Sequence, residues 1–286
     1  MTEDALDGIE GAYPLPPLQQ GMLFHVLSSP VPGQYIGTIT ATLEGPITKE
    51  AAEIAWSELL RRHPALRTSF LWEGLDQPVQ VVHKDVDVTI TDAGSADHVT
   101  GIDLGRAPLM GLEWEAQGDG KTVLTWTVHH MIADGWSATI VLQEFLRLLN
   151  GEALHPAPEF GDHAAWLETL DHDTDEPFWR GYLHDLPRLR LPKTGAEHGF
   201  ATLTDKIDPS VMGSLRPNAQ AHQTTLSAAF QIAFAGALAE VTRQREVTFG
   251  LATSGRSSPI EGAESCVGLF VNTLPVRINL EDTDLW

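Results

Sequence analysis

Between Met110 and Gly151 the apolar residues change their spacing, and that change constrains the fold more than any other feature of the chain. MGLEWEA and TVLTWTV alternate apolar and polar residues around QGDGK, the pattern of an antiparallel hairpin. WSATIVLQEFLRLLNG then follows helical spacing and ends on Asn150 and Gly151, a helix stop signal. A strand and a helix are therefore joined directly through one short polar stretch, HHMIADG.

The flanking segments mix the same two periods. YPLPPLQQGMLFH opens with a proline-rich turn and becomes helical around Leu18 to Val26. YIGTITATLEG alternates Ile39, Ala41 and Leu43 with Thr38, Thr40 and Thr42, and reads as a strand. A helix is expected from Thr48, its N-cap, to Arg62, with Ala51, Ile54, Ala55 and Leu59 on one face and Pro64 ending it. PVQVVH and VDVTITD are short strand candidates. From Gly151 to about Pro177 the chain is rich in Pro, His and Asp. It reads as a linker with a short helix around Ala164 to Leu170.

Beyond it, TTLSAAFQIAFAGALAEVTRQ carries a helical stripe of Leu226, Phe230, Ala233, Phe234, Ala237 and Val241. EVTFGLATSGR and FVNTLPVRIN read as strands. Without a strict βαβ rhythm, the expectation is an α/β protein with a mixed sheet in each of two lobes, 1–175 and 176–286. DHDTDEPFWRGY has acids at alternate positions like a calcium loop, but Glu176 and Tyr182 stand where the loop needs Gly and Glu. It reads as a solvated turn.

Composition narrows the function. The 286 residues suit two lobes, and 42% apolar content is enough for a core. A formal net charge of −21, with no Lys/Arg block, argues against nucleic acid and against anionic membranes. One cysteine, Cys266, permits no internal disulfide and reads as a small packed residue. The acidic opening MTEDALDGIEG lacks a signal-peptide core and no apolar run approaches a membrane span, so a cytoplasmic location is expected.

HHMIADG concentrates the chemistry. Along TVLTWTVHH, Leu124, Trp126, Val128 and His130 share one side, while Thr125, Thr127 and His129 share the other. The two imidazoles then point apart, which argues against a shared metal. There is no HExxH, no CxxC and no other histidine pair at ligand spacing. One working imidazole at a strand end remains, because a neutral ring accepts a proton near pH 7. The competing reading is a packed pair. Asp134 is placed to orient a partner, and Gly135 to permit a tight turn or close substrate approach.

HHMIADG fits HHxxxDG and resembles the signature of the condensation domains of nonribosomal peptide synthetases. Four further stretches fall in that family's order. YPLPPLQQGMLFH is similar to its opening motif, and RHPALRTSF (Arg62, His63, Leu66, Arg67, Thr68, Phe70) to RHxxLRTxF. FGDHAAWLETL is similar to the motif after the catalytic one, and VGLFVNTLPVRI, from Gly268 to Arg277, to GxFVNTLPxR.

The resemblance implies a two-lobed, V-shaped, chloramphenicol-acetyltransferase-like fold with a tunnel between the lobes. It implies that an acceptor α-amine attacks a donor acyl or peptidyl thioester, both carried on phosphopantetheine arms of peptidyl carrier proteins in adjacent synthetase modules. No metal and no directly bound cofactor is required, and the activated thioester fits the absence of GxSxG.

By the same resemblance His130 is the general base or positioning group, and His129 supports the turn. Asp134 is held by Arg256, and Arg67 belongs to the same polar network. Gly135 and Trp136 shape the turn, and Asn272 either faces the tunnel or satisfies local backbone. PLPPLQQGMLFH with SFLWEGLDQPVQVVH is most similar to the subtype taking a donor that ends in a D-residue. An epimerisation domain of the same family is the alternative enzyme. Members normally continue well beyond LEDTDLW, so the resemblance also implies an incomplete second lobe and, as a non-catalytic alternative, a module that only docks carrier proteins.

Overall fold

A computed structural model describes residues 8–94, 101–191 and 203–280. The start of the acidic opening segment and the end of LEDTDLW lie outside these described residues. The fold is mixed α/β, and its residues separate into two compact units: those within 1–170 together with 253–272, and those within 171–252 and from 273 on.

The first unit is built on two sheets. β2 (Ile36–Glu44), β7 (Lys121–His129), β6 (Met110–Gly118) and β5 (Ile90–Asp92) lie in the order β2-β7-β6-β5. The first two pairings are antiparallel and the last is parallel. The hairpin turns where expected, with Gly118, Asp119 and Gly120 all at positive φ. Ile39, Trp126 and Leu112 are direct neighbours across three strands, so one face is a continuous apolar surface.

Helices α2 (Lys49–Arg62) and α3 (Gly135–Leu149) supply its partners. The Trp56 ring lies 5.2 Å from Trp126 and 5.5 Å from Phe145. Thr48 caps α2 through the Ala51 N–H, as its sequence predicts. The buried face of α2 is Ala52, Ala55, Trp56, Leu59 and Leu60. Of the face read from the sequence, Ala55 and Leu59 are buried while Ala51 and Ile54 are exposed; the buried face is turned toward Ala52 and the large Trp56 ring.

A second sheet, β1 (Ile9–Pro14), β4 (Val79–His83) and β3 (Thr68–Leu71), has the order β1-β4-β3. Of these only β4 is visible in the alternation. β1 and β3 are short, and β1 reads from sequence as the approach to a proline turn. In the chain β1 is followed by α1 (Pro17–Ser28).

α4 (Phe160–Glu168) starts four residues before the expected helix. The solvated-turn reading of DHDTDEPFWRGY is wrong, because α5 (His172–Tyr182) occupies it. Asp171 caps it through the Asp173 N–H, and Asp173 and Asp175 sit in the first turn, where the helix dipole favours acids. Pro177 lies inside this helix and costs one hydrogen bond without ending it.

In the second unit α6 (Pro209–Ala221) and α7 (Leu226–Thr242) accompany a two-stranded sheet of β8 (Glu246–Thr253) and β9 (Asn272–Asn279). The helix expected at α7 is present, but its apolar stripe is not buried: Phe230, Phe234 and Val241 are 42%, 50% and 53% exposed, and only Ala235 is fully buried. The helix is apolar on nearly every side, so spacing alone does not select a face. Arg277 ties β9 to the end of α5 through the Tyr182 and His184 carbonyls, and pairs with Glu246. Among the described residues no single helix is long and apolar enough to cross a membrane.

Candidate active site

The strand β7 ends at His129, and the next five residues turn the chain into α3. Asp134 is the N-cap of α3: its Oδ1 accepts the Ser137 N–H at 2.7 Å. The same carboxylate accepts the Phe270 and Val271 N–H groups at 3.1 and 3.3 Å and Arg256 Nη2 at 2.9 and 3.2 Å. Asp134 and Arg256 are both buried. The pairing that the resemblance assigns to them is therefore present as a buried, charge-assisted hydrogen bond.

Arg256 also donates to the Ala263 and Cys266 carbonyls, both at 2.7 Å, and lies 4.3 Å over the Phe270 ring. Ser137, fully buried, adds a third link. Its hydroxyl donates to the Gly268 carbonyl at 2.8 Å and accepts from the Gly268 N–H at 3.0 Å and from Arg256 at 2.9 Å. The start of α3 is thus bonded to the 263–272 segment at several points.

The two histidines have different surroundings. His129 is buried, and its Nδ1 accepts the Met131 N–H at 3.2 Å. Its ring meets Tyr35 edge-on at 6.4 Å. Burial, with a smaller push from His130, lowers its pKa to about 4 against a weak opposing hydrogen bond with the Gln34 backbone. At neutral pH it is an uncharged ring that braces the turn.

His130 is exposed. Its N–H donates to the Tyr35 carbonyl at 2.7 Å, and its Nδ1 stands 3.2 Å from the Ala133 carbonyl. A carbonyl only accepts, so Nδ1 carries the hydrogen. In the neutral ring Nε2 is then the lone-pair nitrogen, and it has no hydrogen-bond partner among the described residues. A neutral imidazole oriented this way accepts a proton or hydrogen bond from whatever approaches Nε2.

The remaining sequence candidates divide. Gly135 opens α3 without a positive φ, so a tight turn does not require it; a Cβ there would meet open space. Trp136 is half exposed, donates to the Glu264 carbonyl at 2.8 Å and lies 5.7 Å from Arg256. Asn272 is exposed, and its carbonyl accepts from the Thr253 hydroxyl at 3.3 Å. Cys266 is packed in the core, with burial raising its thiol to about 12.

Arg67 corrects an expectation. It does not join the Asp134 network but pairs with Glu10 at 2.8 Å and donates to the Leu60 carbonyl at 2.7 Å and to the His83 carbonyl. It staples α2 to β1 and β4 from the last position of the 3-10 turn that follows α2. Its neighbours Arg62 and His63 converge instead on Glu144 of α3, with His63 Nε2 2.6 Å from the carboxylate. Among the described residues no group of three or more His, Cys, Asp or Glu side chains is placed to hold a metal ion.

Several residues of the site escaped the sequence reading. Gln19, buried in α1, donates to the Met131 carbonyl at 2.7 Å and so holds the turn from the opposite side. Tyr35, at φ 58, presents the carbonyl that His130 uses. Gly37 lies beside the His130 ring. For the last there was a signal: an isolated glycine inside a strand marks a close approach.

Comparison with known proteins places this geometry among relatives. A family model described as "Condensation domain" matches residues 9–285. One of the linear gramicidin synthase proteins of Brevibacillus parabrevis is 36% identical over 94% of this chain and 6% of its own length. Bacitracin synthase 1 of Bacillus licheniformis is 30% identical over 96% of this chain, again with 6% of its own length covered. The chain thus spans a small fraction of the curated relatives it matches.

Among solved structures, the condensation domain of the monacolin K polyketide synthase MokA superposes with a TM-score of 0.77 at 22% identity, covering 96% of this chain and 69% of that one. The epimerization domain from the third module of tyrocidine synthetase B gives 0.82 at 19%, covering 97% and 70%. These structural likenesses show the fold, which is the chloramphenicol-acetyltransferase-like one expected from the motifs.

Proposed function

This chain belongs to the condensation-domain family, whose members in nonribosomal peptide synthetases form amide bonds, and from that premise we propose that its own site joins two carrier-bound substrates. The donor is an acyl or peptidyl thioester and the acceptor an aminoacyl thioester, each on the phosphopantetheine arm of a carrier protein. The observation that supports this reading most is His130. Its ring is exposed at the end of β7, anchored through Nδ1, and leaves Nε2 for a substrate.

The acceptor amine, with an ordinary pKa of about 8, reacts as its free base. Its nitrogen attacks the thioester carbon; the C–N bond forms, the C–S bond breaks, and the donor's thiolate leaves. Nε2 takes the amine's hydrogen bond and, in the general-base form of the step, the proton that the thiolate recovers. Asp134, Arg256 and Ser137 keep the turn in place without touching the reacting atoms. His129, neutral and buried, does the same from the other side. The opening motif and SFLWEGLDQPVQVVH favour a donor that ends in a D-residue.

Two loaded carrier proteins, mixed with the chain and followed by intact-protein mass spectrometry, test the reading. Amide should appear on the acceptor carrier, faster with a D-terminated donor. His130→Ala should slow it about 100-fold or more while leaving thermal stability nearly unchanged, since the side chain is exposed. Exchange of the donor Cα hydrogen without amide would favour an epimerisation domain. Carrier binding with neither reaction would favour a docking module.

A further inference from the structure

Gly37 lies in β2 directly opposite Val128. Glycine weakens a strand, and one found there often marks a bulge, a bend or a place where something comes close. Its φ is not in the left-handed region, so the backbone does not demand glycine. The neighbour does. A Cβ built on Gly37 would stand 3.3 Å from His130 Nε2 and 3.7 Å from its Cε1. His130 is also held at two other points, its backbone N–H on the Tyr35 carbonyl and its Nδ1 on the Ala133 carbonyl. The segment from Tyr35 to Gly37 therefore supplies one anchor and one bare surface to the same residue.

We propose that Gly37 is a positioning residue for His130: its missing side chain lets the imidazole settle where Nδ1 reaches Ala133 and Nε2 stays open to the acceptor amine. The inference rests on the reading of His130 given above. A methyl group at position 37 would sit closer to Nε2 than ordinary contact allows. The ring must then tilt by a few tenths of an ångström, and the Nδ1–Ala133 bond, already at 3.2 Å, is the contact that gives. The same methyl would crowd the approach that an amine needs to come within about 3 Å of Nε2.

The test is Gly37→Ala in the full chain, with Thr40→Ala, exposed on the same strand, as control. Nitrogen–proton correlation spectra report the His130 tautomer, and the carrier-to-carrier assay reports kcat and KM. The wild-type ring should show the Nδ1–H tautomer. Gly37→Ala should shift it toward a mixture and lower kcat about tenfold or more, with the acceptor KM within about threefold. Its unfolding midpoint should stay within a few degrees of wild type. Thr40→Ala should change none of these.

Wild-type ring signals in Gly37→Ala would overturn the inference, and so would a wild-type kcat in that variant. Failure of the functional reading looks different: His130→Ala would keep wild-type rates, or wild type itself would form no amide. The ring signals still decide the positioning role in that case.

Discussion

Asp134→Ala removes the carboxylate that joins α3 to the 263–272 segment. Four residues donate to it: Ser137, Phe270, Val271 and Arg256. With 5% and 7% exposure, Asp134 and Arg256 have little water to replace what each loses in the other. Truncation leaves the guanidinium with two carbonyls and the Ser137 hydroxyl, but without a counter-charge. Breaking a buried pair from one side costs about 3–5 kcal/mol, and loss of an N-cap about 1 kcal/mol. These contributions overlap, so the expected loss is about 4 kcal/mol, a large share of the roughly 5–15 kcal/mol that holds a domain folded. Urea unfolding at pH 7 measures it.

Adding Arg256→Met to Asp134→Ala removes the stranded charge while keeping an apolar side chain against Phe270. The double variant should be more stable than the sum of the single effects by about 2 kcal/mol. A loss below about 1 kcal/mol in Asp134→Ala, the size of an exposed ion pair, would refute the argument. So would strict additivity in the double variant.

Two further perturbations probe the same region. Gly268→Ala would place a Cβ 2.2 Å from Phe160 Cδ2, so the segment or the ring must move; a loss of about 2–3 kcal/mol is expected in the same urea experiment, and wild-type stability would show that the site has slack. His129 and His163 are both pushed by burial from 6.5 down to about 4, with His130 and Arg256 respectively adding to the effect. The unfolded chain therefore binds these protons first as pH falls. Their stabilising effect is full above pH 6.5 and is lost progressively between 6.5 and about 4, each ring contributing at most roughly 3 kcal/mol. His163 lies among Phe160, Trp166 and Phe270 with Nδ1 unpartnered, so His163→Phe should flatten the fall in melting temperature across that window; an unchanged slope would contradict the assignment.

The sequence was most legible where one period dominates. The β6–β7 hairpin, β2, α2 and α3 all follow from alternation, spacing and caps, because each has one face against a common core. It was least legible where contacts between distant segments decide. β1 and β3 are strands because β4 pairs with both, and neither carries a strong pattern of its own. α5 was hidden by alternating acids that look like a calcium loop but serve as its N-cap and first turn, and the exposed side of α7 cannot be read from a helix that is apolar nearly all round. In the site, HHxxxDG and its Arg256 partner were found through the resemblance, since 122 residues separate Asp134 from Arg256. Arg67 was misplaced because its destination depends on which strand lies beneath it, β1 and β4 rather than the Asp134 turn.

Within HHMIADGWS the polar side chains are not interchangeable, and their partners explain why one of them is left for chemistry. Asp134 is engaged by four donors and Ser137 by three partners, so neither has a lone pair to offer a substrate without giving up a fold contact. His129 holds a neighbouring N–H on Nδ1 and is kept neutral well below pH 7 by burial. The Trp136 N–H is committed to Glu264. His130 alone combines an exposed ring with one nitrogen committed to the backbone and the other uncommitted. Anchoring through Nδ1 adds a second property: it fixes which nitrogen bears the hydrogen, so the ring meets an amine with its lone pair forward and needs no rearrangement first. The other polar side chains of the turn are held by fold contacts, and this one ring is left both exposed and oriented.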